Sequence, residues 1–237
     1  MDKDVWQQRA ALPGLSAVID PGDRGTKNLY VDLVHRQALA DALPGKGVSI
    51  VLDFGCGIGR LTSWLASRVG SAVGVDTTLE MIEAAEARIQ DDRVTFMHMP
   101  DKTIPIKRGA VDAVDSVFVL QHILDDQVLA QNGEEIARVL RSGGRLTIIE
   151  QVARVRDITE GYVAHRTTDA YREVLTRAGF VLLSSRAIRS PKGWIYRVLS
   201  RRLPTPLVKL IAKVSPPVGV NFRDAPYVDE LMVFERI

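Results

Sequence analysis

The stretch that most constrains the fold is residues 50–60, which read IVLDFGCGIGR. An apolar run rich in β-branched residues ends at Asp53, and three glycines follow at alternate positions. Such a run predicts a buried strand, and the glycines predict a tight turn that leads into a helix. Because Gly55, Gly57 and Gly59 allow a ligand to approach the backbone closely, we expect a nucleotide-like ligand above this turn.

Two features of the turn argue against a dinucleotide. The dinucleotide fingerprint Gly-x-Gly-x-x-Gly has glycine at its sixth position, whereas Arg60 stands there and the third glycine comes one place early. Asp53 would also repel a pyrophosphate in a partly desolvated site. S-adenosylmethionine carries an ammonium group and a sulfonium and has no phosphate, so it suits an acid at this position better than NAD does.

A second acid supports this interpretation. Asp76 ends the next apolar run, SAVGVD, about twenty residues after the first glycine, where a carboxylate would hydrogen-bond two ribose hydroxyls. The combined motif, VLDFGCGIG followed by GVDTTLEMIEAA, resembles the class I S-adenosylmethionine-dependent methyltransferases, over about residues 49–180. The resemblance implies an α/β fold: a Rossmann-like, seven-stranded, mostly parallel sheet with helices on both faces and an antiparallel terminal strand.

The resemblance also implies the cofactor, S-adenosylmethionine, and the residues that hold it. Asp101 follows the third predicted strand, where the family has an acid that accepts a hydrogen bond from the adenine amino group. Cys56 is the only cysteine, which excludes an internal disulfide, and we interpret it as a small residue that fits the turn. The expected cofactor-binding residues are Asp53, Gly55, Cys56, Gly57, Asp76, Thr77, Met81, Asp101, Lys102 and Phe118.

The sequence divides into an N-terminal segment and one larger domain. Residues 1–47 precede the first predicted core strand, and the resemblance implies that they form a lid over the cofactor. Apolar spacing from Leu29 predicts a helix that Pro44 ends, and the residues before Leu29 read as loop. Residues 48–237 are the expected methyltransferase domain, with a helical insertion at about residues 190–221.

The insertion mixes apolar and basic residues and contains no acid. A basic amphipathic segment of this kind is typical of helices that lie on an anionic membrane surface. It is equally typical of a cap over the substrate, of a homodimer contact or of a plain surface hairpin. The sequence leaves these alternatives open, with peripheral membrane contact assigned to residues 190–215.

Methyl transfer from a sulfonium is an in-line displacement, so the protein mainly aligns donor and acceptor, which can lower the barrier by roughly 7–11 kcal/mol. A hydroxyl acceptor also needs a general base. His122 follows the fourth predicted strand, at the edge of an open sheet where ligands bind. It is the first candidate base, and Glu150 and His165 are the alternatives. His35 and His98 are expected to be surface or packing residues.

Three further residues are candidates for substrate binding, because arginine can hold an acidic group through two parallel hydrogen bonds and aromatic rings can line a substrate entrance. They are Tyr30, Arg166 and Tyr171. No tight carboxylate cluster with ligand spacing occurs in the sequence, so no metal is expected.

The leading hypothesis is O-methylation of a hydroxyl on a small molecule or saccharide, with a glycolipid as one form of acceptor. An RNA methyltransferase is an alternative, but nucleic acid is disfavoured because the net charge is only +2 and FVLQH is not a catalytic Asn/Asp-Pro-Pro-Tyr/Phe motif. A non-catalytic partner that keeps the cofactor fold is the other alternative. Without a signal-like N-terminus or an apolar run of ~18 residues, a cytoplasmic protein is expected.

Overall fold

The computed structural model describes residues 3–43, 48–159, 161–190, 194–214 and 225–237. Seven strands form one sheet in the order β3-β2-β1-β4-β5-β9-β8, and β9 is antiparallel to both of its neighbours while the others run parallel. The strands are β1 (Ile50–Phe54), β2 (Ser71–Asp76), β3 (Val94–His98), β4 (Val111–Val117), β5 (Leu140–Ala153), β8 (Phe180–Arg189) and β9 (Tyr227–Arg236). The expected fold class is confirmed.

Helices cover both faces of the sheet. One face packs against α5 (Asp126–Val139) and α6 (Thr168–Arg177), and the opposite face packs against α2 (Lys27–Ala42), α3 (Thr62–Val69), α7 (Trp194–Leu199) and α8 (Thr205–Val214). The remaining helices are α1 (Lys3–Ala10) and α4 (Leu79–Arg88), which contact each other. A short antiparallel pair, β6 (Asp157–Thr159) and β7 (Val163–His165), follows β5. None of the described helices is long and apolar enough to cross a membrane.

The strand order positions the site. β1 has β2 on one side and β4 on the other, so the order of the parallel strands reverses beside β1. Ligands of open α/β sheets bind beyond the carboxyl ends of the strands at such a reversal. The residues that end or follow β1, β2 and β4 therefore meet at one edge, and these are the residues that the glycine motif and Asp76 supply.

The N-terminal segment differs from the expected single lid. α1 and a 3-10 turn at Gly14–Ala17 lie where a loop was expected. Trp6 of α1 and Val18, which follows the turn, line the cavity that is described in the next section. α1 has no regular apolar stripe, but Trp6 and Ala10 pack in a small apolar cluster with Ile58 and Met81. Gln7 Nε2 also donates to Glu80 Oε1 at 3.0 Å. α2, in contrast, packs its apolar side chains into the core on one face of the sheet.

The predicted insertion is helical in its described part. α7 and α8 pack against α2, and Leu199 and Val208 are fully buried there. Residues 191–193 and 215–221 of the predicted insertion lie outside the described residues.

Candidate functional site

A cavity of about 450 Å³ lies at the carboxyl ends of β1, β2 and β4. All ten residues that the sequence predicts for the cofactor line it, together with Trp6, Val18, Arg60 and His122. The ten come from four separate segments of the chain, so their meeting in one cavity is a property of the fold. The cavity is large enough for a drug-sized ligand.

The glycine turn forms the floor of this cavity. The backbone N–H groups of Gly55 and Cys56 donate to Val75 O at 2.8 and 2.9 Å, which ties the turn to β2. Gly55 has φ of 75°, and a Cβ there would lie 2.4 Å from Val119 Cγ2. Glycine is therefore required at this position both by the backbone conformation and by the space.

Two carboxylates stand beside the turn. Asp53 is 3% exposed and accepts a 2.6 Å hydrogen bond from Thr62 Oγ1, and burial raises its pKa to about 6. Asp76 accepts from the N–H groups of Gly57 and Thr78, both at 2.9 Å, and burial raises its pKa as well. Asp76 thus shapes the turn in addition to facing the cavity.

Asp115, which sequence reasoning did not single out, lies opposite Asp53 on the adjacent β4. Burial and, to a smaller extent, the charge of Asp53 raise its pKa to about 8, so Asp115 is mostly neutral at neutral pH. Within the described residues its Oδ2 has no hydrogen-bond partner. The negative charge on this wall is therefore that of Asp53 and not of a carboxylate pair.

Arg60 is a cavity residue that the sequence did not assign, although it was visible as the residue that breaks the dinucleotide fingerprint. Its Nη1 donates to Asp32 Oδ1 at 2.8 Å, and its Nη2 lies 3.4 Å from His35 Nδ1. Burial lowers the pKa of Arg60, but Asp32 and Asp53 oppose the shift. The cavity wall therefore presents a cation close to Asp53, an arrangement that suits a zwitterionic group.

His35 is one of the packing residues behind Arg60. It is fully buried, and its pKa is lowered to about 4 chiefly by burial, so the ring is neutral. Its Nε2 lies 3.3 Å from Asp229 Oδ2, and its ring stands edge-on to that of Phe118 at 4.8 Å. Nε2–H therefore donates to Asp229, which leaves Nδ1 to accept from Arg60.

His122 lines the cavity, as predicted for a candidate base. Its Nδ1 lies 3.1 Å from Tyr162 O, and because a carbonyl can only accept, Nδ1 carries the proton. Burial lowers the pKa of His122 to about 4, so the ring is neutral at neutral pH. In this tautomer Nε2 carries the lone pair, so it is the ring nitrogen that can accept a proton.

Trp6 covers His122 from α1. The two rings meet edge-on with centroids 4.9 Å apart, and Arg9 Cζ lies 4.7 Å from the Trp6 ring centroid. Arg9 also donates to Ala17 O and Ile19 O at 3.1 and 2.9 Å, which fixes α1 to the turn that carries Val18. Sequence reasoning missed Trp6 because no local pattern links it to a residue more than a hundred positions away.

Glu150 does not line the cavity. Its carboxylate accepts from the N–H groups of Val119, Leu120 and Gln121 at 3.2, 2.8 and 3.1 Å. Burial raises its pKa to about 8, while the three backbone donors favour the charged form. Since its oxygens are committed to the backbone, a positioning role replaces the expected role as a base.

Arg166 holds the other side of the same turn. It is 1% exposed, donates to Ile123 O and Leu124 O at 2.6 and 3.3 Å, and binds Asp126 through Nε and Nη2 at 2.9 and 2.7 Å. Its donors are directed at protein carbonyls and a protein carboxylate. The expected contact with an acidic substrate group is therefore replaced by a contact with residues 123–126 of the chain itself.

Three further candidates also lie outside the cavity lining. His165 Nε2 is 3.0 Å from Gln151 Oε1, and its ring packs 4.4 Å from that of Tyr227. Tyr171, on α6, is fully buried in the core on one face of the sheet, and Tyr30, on α2, is buried in the core on the other face. All three side chains therefore contact other parts of the protein and do not border the cavity. No group of three or more His, Cys, Asp or Glu in the described ranges could hold a metal ion.

Comparisons with known proteins find methyltransferases. A family model described as a methyltransferase domain matches residues 52–148. Methyltransferase GfsG of Streptomyces halstedii is 32% identical over 75% of this chain and 64% of its own length. The ubiquinone/menaquinone biosynthesis C-methyltransferase UbiE of Geobacter sp. (strain M21) is 30% identical over 52% of this chain and 54% of its own length. The chain thus spans between half and two thirds of these relatives.

A solved structure shows the same fold. Geranyl diphosphate C-methyltransferase from Streptomyces coelicolor A3(2), crystallised with Mg²⁺, geranyl diphosphate and S-adenosyl-L-homocysteine, superposes with a TM-score of 0.67 at 20% identity. The match covers 90% of this chain and 82% of that one. The match to the methyltransferase-domain model and the methyltransferase relatives support a class I S-adenosylmethionine-dependent methyltransferase family for this chain.

Proposed function

We propose that this chain binds S-adenosylmethionine in the main cavity and transfers its methyl group to a hydroxyl of a small molecule or saccharide. The observation that carries the proposal is the pair of acids, Asp53 and Asp76, on either side of a glycine turn in one cavity. Both are fixed by hydrogen bonds from Thr62, Gly57 and Thr78, so little reorganisation is needed when a ligand binds.

The chain's charges match the parts of the cofactor. Asp53 would hold the ammonium group and Arg60 the carboxylate, since these side chains of opposite charge lie close together on the wall. Asp76 would accept from the ribose hydroxyls, and Asp101 from the adenine amino group. When bound, the cofactor supplies an electrophilic methyl group on a cationic sulfur.

His122 would take the proton of the acceptor hydroxyl at Nε2, because Nδ1–H is already bonded to Tyr162 O. The deprotonated acceptor oxygen would then be prepared to receive the methyl group that the bound cofactor supplies. Trp6 and Phe118 would exclude water from this part of the cavity. A correctly placed base of this kind contributes about 10²–10⁴-fold to the rate.

The cavity near His122 favours an acceptor that carries apolar surface beside its hydroxyl. Trp6, Phe118, Ile123 and Leu124 line it there, and these are aromatic or aliphatic. A hydroxylated apolar molecule fits such walls, as does a saccharide joined to an apolar group, a glycolipid included.

Methylation of an activated carbon is the second candidate. The observation that favours it is the relative named as a C-methyltransferase, at 30% identity. A neutral histidine in the cavity can assist either reaction by removing a proton, so the position of the new methyl group in the product decides between them.

The test is an assay with S-adenosylmethionine labelled with deuterium in its methyl group. Hydroxylated apolar small molecules, glycosides and glycolipids serve as acceptors, and NMR of the product shows whether the methyl is on oxygen or carbon. His122→Asn should keep cofactor affinity and lower turnover by about 10²-fold or more. The matched control is His98→Asn, which should keep turnover. His98 is half-buried, and its Nε2 is hydrogen-bonded to Thr77 O.

A C-methylated product from the acceptor panel would reject the hydroxyl assignment in favour of the second candidate. Near-normal turnover in His122→Asn would reject the histidine as base. Tight cofactor binding with no product from any acceptor would favour the non-catalytic assembly partner, and product from RNA alone would favour the RNA methyltransferase.

A further inference from the structure

One face of α8 is not covered by the rest of the described structure. Val208, Ile211 and Ala212 turn toward the core beside α2. Leu207, Leu210 and Val214 are 43%, 55% and 61% exposed, and their spacing of three and four residues puts them in one stripe along the helix. The ten-residue helix α8 thus has two apolar sides, and only one of them packs against the rest of the described structure.

Basic side chains lie along one side of this stripe and in the turn before α8. Lys209 and Lys213 on α8 and Arg201 and Arg202 in the turn before it are exposed. From residue 190 to residue 223 the sequence contains no acid. The exposed stripe and these four cations are called the α8 surface below.

Nearby acids do not neutralise the α8 surface. Arg202 Nε donates to Arg24 O at 3.3 Å, which brings the surface next to the loop that contains Asp20 and Asp23. Asp20 pairs with Lys27 at 3.2 Å, and Asp23 accepts from the N–H groups of Gly25 and Asn28, both at 2.9 Å. Asp20 is thus paired with a cation of its own, whereas Asp23 keeps one negative charge beside the four positive charges of the α8 surface, which stays positive overall.

We propose that the α8 surface docks on an anionic lipid bilayer. Leu207, Leu210 and Val214 would enter the headgroup region, and the four cations would lie at the level of the lipid phosphates. Burial of an apolar stripe combined with basic flanks is the physical basis of interfacial helix binding. Each basic residue near an anionic leaflet adds to the attraction, which weakens as salt is raised.

Other occupants fit the α8 surface less well. A two-fold dimer would place the surface against its own copy, and four cations would then face four cations. A protein partner would be expected to find aromatic or pocketed anchor points, whereas the stripe is aliphatic throughout. A lipid surface needs neither self-complementarity nor a pocket.

The α8 surface is firmly mounted on the domain. Thr26, at the start of α2, donates from its N–H to Leu199 O at 3.0 Å and from Oγ1 to Arg201 O at 3.1 Å. These bonds join the turn before α8 to the N-terminal segment. A surface that is ordered before binding loses little conformational entropy when it docks.

The test is sedimentation with sucrose-loaded vesicles of phosphatidylcholine alone and of phosphatidylcholine mixed with phosphatidylglycerol. The full chain should sediment with the anionic vesicles and not with the neutral ones, and less so at high salt. The double variant Lys209→Glu, Lys213→Glu should lower the partition coefficient by about tenfold or more. Leu210→Ser should also weaken it. The measurement uses no activity, so it is independent of the proposed function.

Matched controls change the same chemistry elsewhere. Lys107→Glu with Arg108→Glu reverses two exposed charges on a different loop, and Leu183→Ser removes an exposed leucine, 48% accessible, on β8. Both should keep vesicle binding. The proposal is overturned if the wild-type chain does not bind anionic vesicles, if the controls lose binding as much as the α8 variants do, or if Leu210→Ser instead converts a dimer to a monomer in light scattering.

Discussion

At the scale of single residues, we expect Asp53 to determine how cofactor binding depends on pH. Burial raises the pKa of Asp53 to about 6, against a hydrogen bond from Thr62 and the charge of Arg60 that both favour the charged form. Below that pH the free protein holds a neutral carboxyl, which cannot attract an ammonium group. Affinity for S-adenosylmethionine should therefore be constant from pH 8 to about 6 and fall by up to tenfold per unit below it.

Calorimetric titration between pH 5 and 8 measures this dependence. Asp53→Asn should bind more weakly at pH 8 and should lack the step near pH 6. The control is Asp101→Asn, which changes an exposed carboxylate of the same cavity. This variant should keep the fall in affinity near pH 6. A flat wild-type profile, or a step that persists in Asp53→Asn, would assign the titration to another group, with Asp76 the first to examine because burial raises its pKa too.

At the scale of elements, the turn between β4 and α5 is held from two sides. Glu150 on β5 accepts from the N–H groups at residues 119–121, and Arg166 donates to the carbonyls at residues 123 and 124. The turn includes Phe118, with φ of 59°, a conformation that a bulky residue adopts only when its surroundings enforce it. These contacts place Phe118 and His122 at the cavity.

Glu150→Gln tests this positioning. One carboxylate oxygen becomes an NH₂ group that faces N–H donors, so we expect a loss of about 1–3 kcal/mol in the free energy of unfolding. Turnover should fall as His122 shifts, while affinity for S-adenosylmethionine stays near that of the wild type. Stability is followed by denaturant unfolding, and turnover and affinity are measured on the folded enzyme.

Glu230→Gln provides the control for that change. Glu230 on β9 is a buried carboxylate that accepts from Thr168 Oγ1 at 2.9 and 3.0 Å, away from the cavity lining. Its variant should lose stability and keep turnover. Equal loss of turnover in both variants would mean that Glu150 contributes to stability alone.

Elements with a long apolar pattern were predictable from the sequence, and short ones were not. The strands after the glycine turn and the helices α3 to α6 follow clear periodicity. The β6 and β7 strands have three residues each, which is too short to show a period. The glycine pair at 143 and 144 reads as a helix stop, but it lies in an irregularity of β5, where Val111 pairs with Leu140 and Ala113 with Arg145.

At the scale of the whole molecule, the proposed cofactor-binding part of the site was easier to predict from the sequence than the proposed acceptor-binding part. Seven of the ten predicted cofactor residues belong to the glycine motif or to the segment that begins at Asp76, so a local pattern reveals them, and all ten line the cavity. The acceptor half is assembled by contacts between distant segments, such as those of Glu150 with Leu120 and Arg166 with Asp126. An acid at a strand end reads as catalytic in sequence, yet here it satisfies buried backbone donors.

The central claim is that the acid-flanked glycine turn binds S-adenosylmethionine, and calorimetric titration of the full chain measures it directly. We predict saturable binding at one site per chain, with affinity reduced by about tenfold or more in Asp76→Ala, because hydrogen bonds to a charged group contribute about 1.5–3 kcal/mol. Absence of heat at millimolar ligand, or equal affinity in Asp76→Ala and the wild type, would contradict it.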